Sequence, residues 1–195
     1  FYDATGGTVR VNGADVRAVT RQSLRRQVGI VEQNPQLFGG TIASNLRWGA
    51  QDASDDDLMA AVGTAQAADV VASKDEGLGS RVEQFGRNYS GGQRQRLAIA
   101  RTLVRRPSVL ILDDAASALD FATDAALRRA IRRDCAGTCV VTISQRVAAV
   151  RSCDQILVLD GGAVAGLGTH EELLAGCEVY KEICESQLTS EEAGR

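Results

Sequence analysis

One stretch limits the fold of this chain more than any other. Asn88 to Asp120 reads NYSGGQRQRLAIARTLVRRPSVLILDDAASALD. Ser90 is a natural helix cap, and Gly91-Gly92 behind it leaves backbone amides unobstructed. The spacing predicts a helix from Gln93 to Val104, with Leu97, Ala100 and Val104 on one side. Pro107 ends it. Val109 to Leu112 then runs VLIL with no polar alternation, which predicts a strand buried on both faces, as in a parallel sheet. The run stops at two aspartates, Asp113 and Asp114. A capped amphipathic helix feeding such a strand demands an α/β architecture.

The remaining segments can be placed around that stretch. Thr8 to Asn12 alternates and closes on Asn12-Gly13, a strand and turn. Ser23 to Gln27 forms a helical turn and Val28 to Glu32 the next strand. Gln33 follows it, and Asn34-Pro35 forces an irregular loop through Gly39-Gly40. Thr41 caps a helix from Ile42 to Trp48. Ser54 caps another from Asp55 to about Gln66, with Leu58, Val62 and Ala65 as its apolar stripe. Residues 73–88 are polar and glycine-bearing and read as loop. Phe121 to Arg133 is a helix and Thr138 to Ile143 a buried strand, so strand, helix and strand make a βαβ unit. Ile156 to Leu159 and Ala163 to Leu167 form a hairpin around Asp160-Gly161-Gly162. His170 to Leu174 and Val179 to Leu188 are closing helices, and Ser190 to Arg195 should fray.

Bulk properties remove whole classes of function. The 195 residues suffice for one well-cored domain. A net charge of −3 gives no footing for wholesale nucleic-acid binding. No apolar run reaches the roughly 18 residues that span a bilayer, and no signal-peptide pattern opens the chain. The five cysteines, Cys135, Cys139, Cys153, Cys177 and Cys184, contain no C-x-x-C pair. They read as reduced packing thiols rather than as a metal cluster.

In an open α/β sheet, ligands bind beyond the carboxyl ends of the strands. Gln33, Asp113, Asp114 and Gln145 each stand just past such an end, so one rim should collect all four. An aspartate there suits Mg²⁺, a hard cation that takes carboxylate and phosphate oxygens. The competing reading makes Asp113 and Asp114 caps of the following helix. Ser90-Gly91-Gly92-Gln93 opens a helix with free amides at its positive end, an arrangement that suits an anion.

These residues resemble a family. Tyr89 to Arg96 (YSGGQRQR) is similar to the signature motif of ABC-transporter nucleotide-binding domains. Val109 to Asp114 resembles their Walker B segment and Ser117 to Asp120 their D-loop. Val31 to Pro35, followed by Leu37 to Ile42, resembles the Q-loop of the exporter type. Thr142 to Arg146 stands where the switch-histidine loop belongs, and Gly168 to Leu173 matches the usual close of exporter domains. The resemblance implies a RecA-like P-loop NTPase core with a mostly parallel sheet, residues 1–40 and 107–195, and an inserted helical subdomain, residues 41–106. It implies ATP and Mg²⁺ as ligands. Asp113 and Gln33 would hold the cation, and Asp114 and Gln145 would serve catalysis. Tyr89, Ser90, Gly91, Gly92, Gln93 and Asp120 would contact nucleotide, the signature residues gripping one bound to a partner. The implied partners are a second nucleotide-binding domain and a transmembrane domain, with no nucleic acid, at the cytoplasmic face of the cell membrane.

Three departures qualify it. The family's phosphate loop, G-x-x-x-x-G-K-[ST], is absent: the only lysines are Lys74 and Lys181. The chain begins at Phe1, apparently inside a structural unit, so this motif is expected upstream. Asp114 stands where the family has glutamate, and Gln145 where it has histidine. The lone histidine, His170, reads as a surface or helix-cap residue. Both substitutions weaken hydrolysis and spare binding, which fits the degenerate-site half of a heterodimeric exporter with an intact signature. Competing expectations are a soluble ABC ATPase acting as a nucleotide switch and an inactive scaffold subunit.

Overall fold

The computed structural model describes residues 3–193, with side chains through Gln187. It divides into two compact units, up to Val141 and from Thr142 onward.

The first unit opens with a two-residue hairpin, β1 (Arg10–Val11) and β2 (Ala14–Asp15), closed at Asn12-Gly13 as expected. Thr20 caps α1 (Arg21–Gln27), which runs directly into β3 (Val28–Val31). Strand β3 lies parallel to β6 (Val109–Asp113), with Val28 opposite Val109 and Val31 opposite Leu112. The sheet order is β3-β6-β7, where β7 (Cys139–Ile143) is the strand in which the division falls. The βαβ order of the sequence reading is therefore present as β6, α6 (Phe121–Asp134) and β7.

Burial of this sheet departs from expectation. Val31, Leu110 and Leu112 enter the core, whereas Ile30 is 49% exposed and Val109 and Ile111 are half-buried. The reason is one-sided packing. Helix α5 (Gly91–Leu103) presses on one face so closely that a Cβ on Gly29 would lie 2.6 Å from Thr102 Cγ2. Leu97, Ile99, Ala100 and Leu103 of α5 share the core with Val31, Leu110 and Leu112, and the alternate side chains of the strands lie outside it.

Between β3 and β6 lie α2 (Ile42–Leu46), a 3-10 turn at Arg47–Gly49, α3 (Asp55–Thr64), α4 (Ala68–Ala72) and α5. Ser54 and Thr41 cap as read from sequence, each through a capping box. Leu58, Val62 and Ala65 are fully buried. Residues 73–88 are not a plain loop. They contain β5 (Arg81–Val82), paired antiparallel with β4 (Gly40–Thr41), and two 3-10 turns. Asn88 holds this segment, accepting from the Glu83 amide at 3.0 Å and donating to the Arg81 carbonyl at 2.8 Å. One apolar core takes Leu46, Leu58 and Val62 together with Leu110, Leu127 and Ile131, because α5 packs against both α3 and β3.

The second unit holds α7 (Val147–Val150), the hairpin β8 (Ile156–Asp160) and β9 (Ala163–Gly168), α8 (His170–Gly176) and α9 (Glu178–Ala193). Ile156, Val158, Leu173, Cys177 and Tyr180 form its core. His170 is half-buried rather than a surface residue: its Nδ1 lies 2.9 Å from the Tyr180 hydroxyl, with the rings edge to face. Helix α9 continues to Ala193, so the expected fraying from Ser190 is not seen; Gly194 and Arg195, like Phe1 and Tyr2, lie outside the described residues. All five cysteines are free. Among the described residues, no helix is long and apolar enough to cross a membrane.

Candidate functional site

The site begins with strand register. Because Val31 pairs in parallel with Leu112, both strands end at one level, and the residues two further on come side by side. These are Gln33 and Asp114. Gln33 Nε2 donates to Asp114 Oδ2 at 3.1 Å, joining positions 81 apart in the chain. Asp113, at the last position of β6, is exposed.

Asp114 is not a helix cap. Its φ is +44°, in the left-handed region that aspartate tolerates better than most residues. That conformation turns the chain out of the sheet. The Asp114 carbonyl then accepts from both the amide and the hydroxyl of Ser117, at 3.1 and 2.9 Å. Capping falls to Asp120 instead. Its carboxylate accepts from the Thr123 amide at 2.9 Å and the Thr123 hydroxyl at 2.7 Å, opening α6. Those bonds hold the Asp120 carboxyl below the usual carboxylate range, the backbone one most strongly.

The signature segment folds as a tight local device. Ser90 Oγ accepts from the Gln93 amide at 3.2 Å, and Gln93 Oε1 accepts from the Ser90 amide at 3.0 Å. Helix α5 therefore starts at Gly91, two residues before the predicted Gln93, because Ser90 caps it directly. Gly92 lies against the turn after Asp114: a Cβ there would sit 3.0 Å from the Ala118 carbonyl oxygen. Gly91 has ordinary clearance, 3.8 Å from Ala118 Cβ. One chain thus places its SGGQ segment on its own Ala118-Leu119 turn.

Tyr89 lies inward. The sequence reading set it among nucleotide contacts, but it is 3% exposed, with its hydroxyl 3.3 Å from the Arg81 carbonyl and Lys74 over its ring. Burial raises its phenol pKa. Its side chain packs the core.

Two residues missed in sequence brace the rim. Gln95, 1% exposed, reaches from α5 to donate to the Glu32 carbonyl at 3.3 Å. It falls three and four residues before Ala98 and Ile99 on a buried face, so a polar residue on an apolar stripe was the available signal. Asn45, also buried, accepts from the Phe38 amide and donates to the Phe38 and Thr41 carbonyls, pinning the loop beyond Gln33. Arg101 steadies the same loop by donating to the Gln36 carbonyl at 3.0 Å. Burial lowers the Arg101 pKa, and Glu32 partly offsets this.

Gln145 belongs to the second unit. Its side chain is exposed, and its carbonyl accepts from Gln187 Nε2 of α9 at 2.5 Å. Of the four rim residues, the first unit brings Gln33, Asp113 and Asp114 to one sheet end. Among the described residues no group of three His, Cys, Asp or Glu is arranged to hold a metal.

Comparison with known proteins gives the family. The ABC transporter family matches residues 1–117. An uncharacterized ABC transporter ATP-binding protein of Mycobacterium tuberculosis is 42% identical over 197 residues, covering 100% of this chain and 34% of that protein. The mitochondrial potassium channel ATP-binding subunit of Pongo abelii is 44% identical over 188 residues, 96% of this chain and 26% of that protein. A bacterial Atm1-family ABC exporter solved with ATP bound superposes with a TM-score of 0.91 at 38% identity, over 95% of this chain and 33% of that one. The chain spans about a third or less of the length of these relatives. With parallel strands ending just before Gln33 and at Asp113 and a capped SGGQ helix against the following turn, the chain belongs to the ABC transporter family, as a nucleotide-binding domain built like those of the exporters it matches.

Proposed function

We propose that this chain is the ATP-binding domain of an ABC exporter whose own site hydrolyses ATP poorly while its signature serves a partner's site. The partners are a second nucleotide-binding domain and a transmembrane domain, with the chain at the cytoplasmic face of the membrane. The Gln33–Asp114 hydrogen bond carries the reading, because it puts an amide and a carboxylate on one rim beside the Asp113 carboxylate.

The donors present fit Mg²⁺. Asp113 offers an exposed carboxylate at a strand end. Gln33 commits its amide nitrogen to Asp114 and has its amide oxygen to offer. Since these residues make no complete metal cluster, most of the shell would come from phosphate oxygens and water, as is usual for this cation. Bound Mg·ATP supplies the phosphoryl group and the counter-charge for its transfer. Asp114 would orient and polarise the attacking water. It is one methylene, about 1.5 Å, shorter than glutamate, and a misplacement near 1 Å can cost on the order of a hundredfold in rate. Gln145 would donate to a terminal phosphate oxygen through its amide, without the charge an imidazolium brings. Ser90, Gly92 and Gln93 would grip the nucleotide of the partner domain, for which the α5 amides and dipole provide the field.

The test restores both positions, Asp114→Glu with Gln145→His, in the assembled full-length transporter and measures turnover at each site. Turnover at this site should rise by about a hundredfold, toward that of the partner site. The proposal fails if the unaltered site already hydrolyses as fast as its partner.

A further inference from the structure

The loop carrying Gln145 has a support that neither the sequence nor the family resemblance assigned. Gln187, on α9, spans it with both ends of one amide. Nε2 donates to the Gln145 carbonyl at 2.5 Å, and Oε1 accepts from the Val147 amide at 2.9 Å. The two bonded backbone groups bracket Arg146. Arg146, at the N-cap of α7, makes no side-chain cap bond of its own. Ser144 Oγ accepts from the neighbouring Arg146 amide, at 3.0 Å. The far end of the clasp is anchored: Ile183, one turn before Gln187, and Cys184 pack on the same apolar core as Val147 and Val150 of α7. Loop and helix therefore share a packing base and a two-point polar lock.

We propose that Gln187 is a positioning residue: its side-chain amide sets the backbone of residues 145–147 and thereby aims the Gln145 amide at the terminal phosphate. This rests on the γ-phosphate role given to Gln145 above. The amide is suited to the task because it offers one donor and one acceptor at fixed separation, matching a carbonyl and an N–H two residues apart. A carboxylate at 187 would keep the acceptor and face the Gln145 carbonyl with a second acceptor.

The readout is ATP preference over ADP, since a merely structural residue would affect both nucleotides alike. In the full-length assembled transporter, ATP and ADP affinities at this site are measured for Gln187→Ala, Gln187→Glu, Gln145→Ala, the 145/187 double alanine variant and a Glu182→Ala control on α9. Gln187→Ala and Gln187→Glu should each weaken ATP about fivefold, the worth of one hydrogen bond, with ADP affinity unchanged. Gln145→Ala should show the same loss, and the double variant no further loss. If Gln145→Ala leaves the ATP-to-ADP ratio intact, the phosphate role of Gln145 is wrong. If Gln145→Ala shifts the ratio but both Gln187 variants leave it intact, or weaken ATP and ADP equally, the clasp is overturned while that role stands.

Discussion

The SGGQ segment and the Gln33–Asp114 rim lie at opposite extremes of how a site can be held. Ser90 and Gln93 bond to each other across three residues, a device that closes as soon as α5 forms. The rim depends on one side-chain bond between positions 81 apart, and so on the whole sheet being in register. Local closure tolerates change elsewhere in the molecule, whereas a long-range bond transmits every error in strand placement. The difference matches the division of labour proposed here, an intact segment lent to a partner and a weakened site kept at home. It also says where each half is fragile.

The sharpest way to break the comparison is Gly92→Val. The capping box would survive, yet the new side chain would push into the Ala118 carbonyl, where even a Cβ stands at 3.0 Å. Partner-site ATP turnover in the assembled transporter should fall about a hundredfold from a displacement near 1 Å. Gly91→Ala, with 3.8 Å of clearance, should cost far less. Equal losses would show that local helix chemistry, not the close approach to the turn, makes the glycine necessary.

Next comes Gln33→Ala, which removes the long-range bond itself. Hydrogen bonds to charged groups contribute about 1.5–3 kcal/mol, so turnover at a restored Asp114→Glu, Gln145→His site should fall tenfold or more. Partner-site turnover should change little. Gln95→Ala acts one step further back, by taking away the α5 support of the Glu32 carbonyl. It leaves a part-buried acceptor short of its donor and should lower unfolding free energy by about 1 kcal/mol, read from chemical denaturation.

Much of this was legible in the chain. The VLIL run, the Ser54 and Thr41 caps and the Ser90 turn follow from period and cap chemistry, both short-range in sequence. The meeting of Gln33 with Asp114 followed from two strands ending together. What stayed hidden depended on distant neighbours. The β4–β5 pair is two residues deep, too short for any alternation to show. Tyr89 looks like a motif residue until Arg81 and Lys74 close over it. Ile30 and Ile111 read as core, because a run of apolar residues does not say which face a helix will cover. The cap of α6 was hidden too: a positive φ at Asp114 sends the chain into a turn, and the cap falls at Asp120, six residues along.

The Asp120 cap yields the smallest effect and a pH signature. Asp120 has its carboxyl lowered from 3.8 by hydrogen bonds from Thr123, so its contribution to stability is present above the unfolded value and is lost as pH falls through the folded one. Asp120→Asn keeps an oxygen for the Thr123 amide but removes the charge. Its Tm should lie slightly below that of the parent chain at pH 7, and the gap should narrow as pH drops below about 3.8, where the unfolded carboxylate protonates, and close once the lowered folded carboxyl protonates too. A gap that stays constant from pH 7 to pH 3 would mean the carboxylate charge at Asp120 is idle.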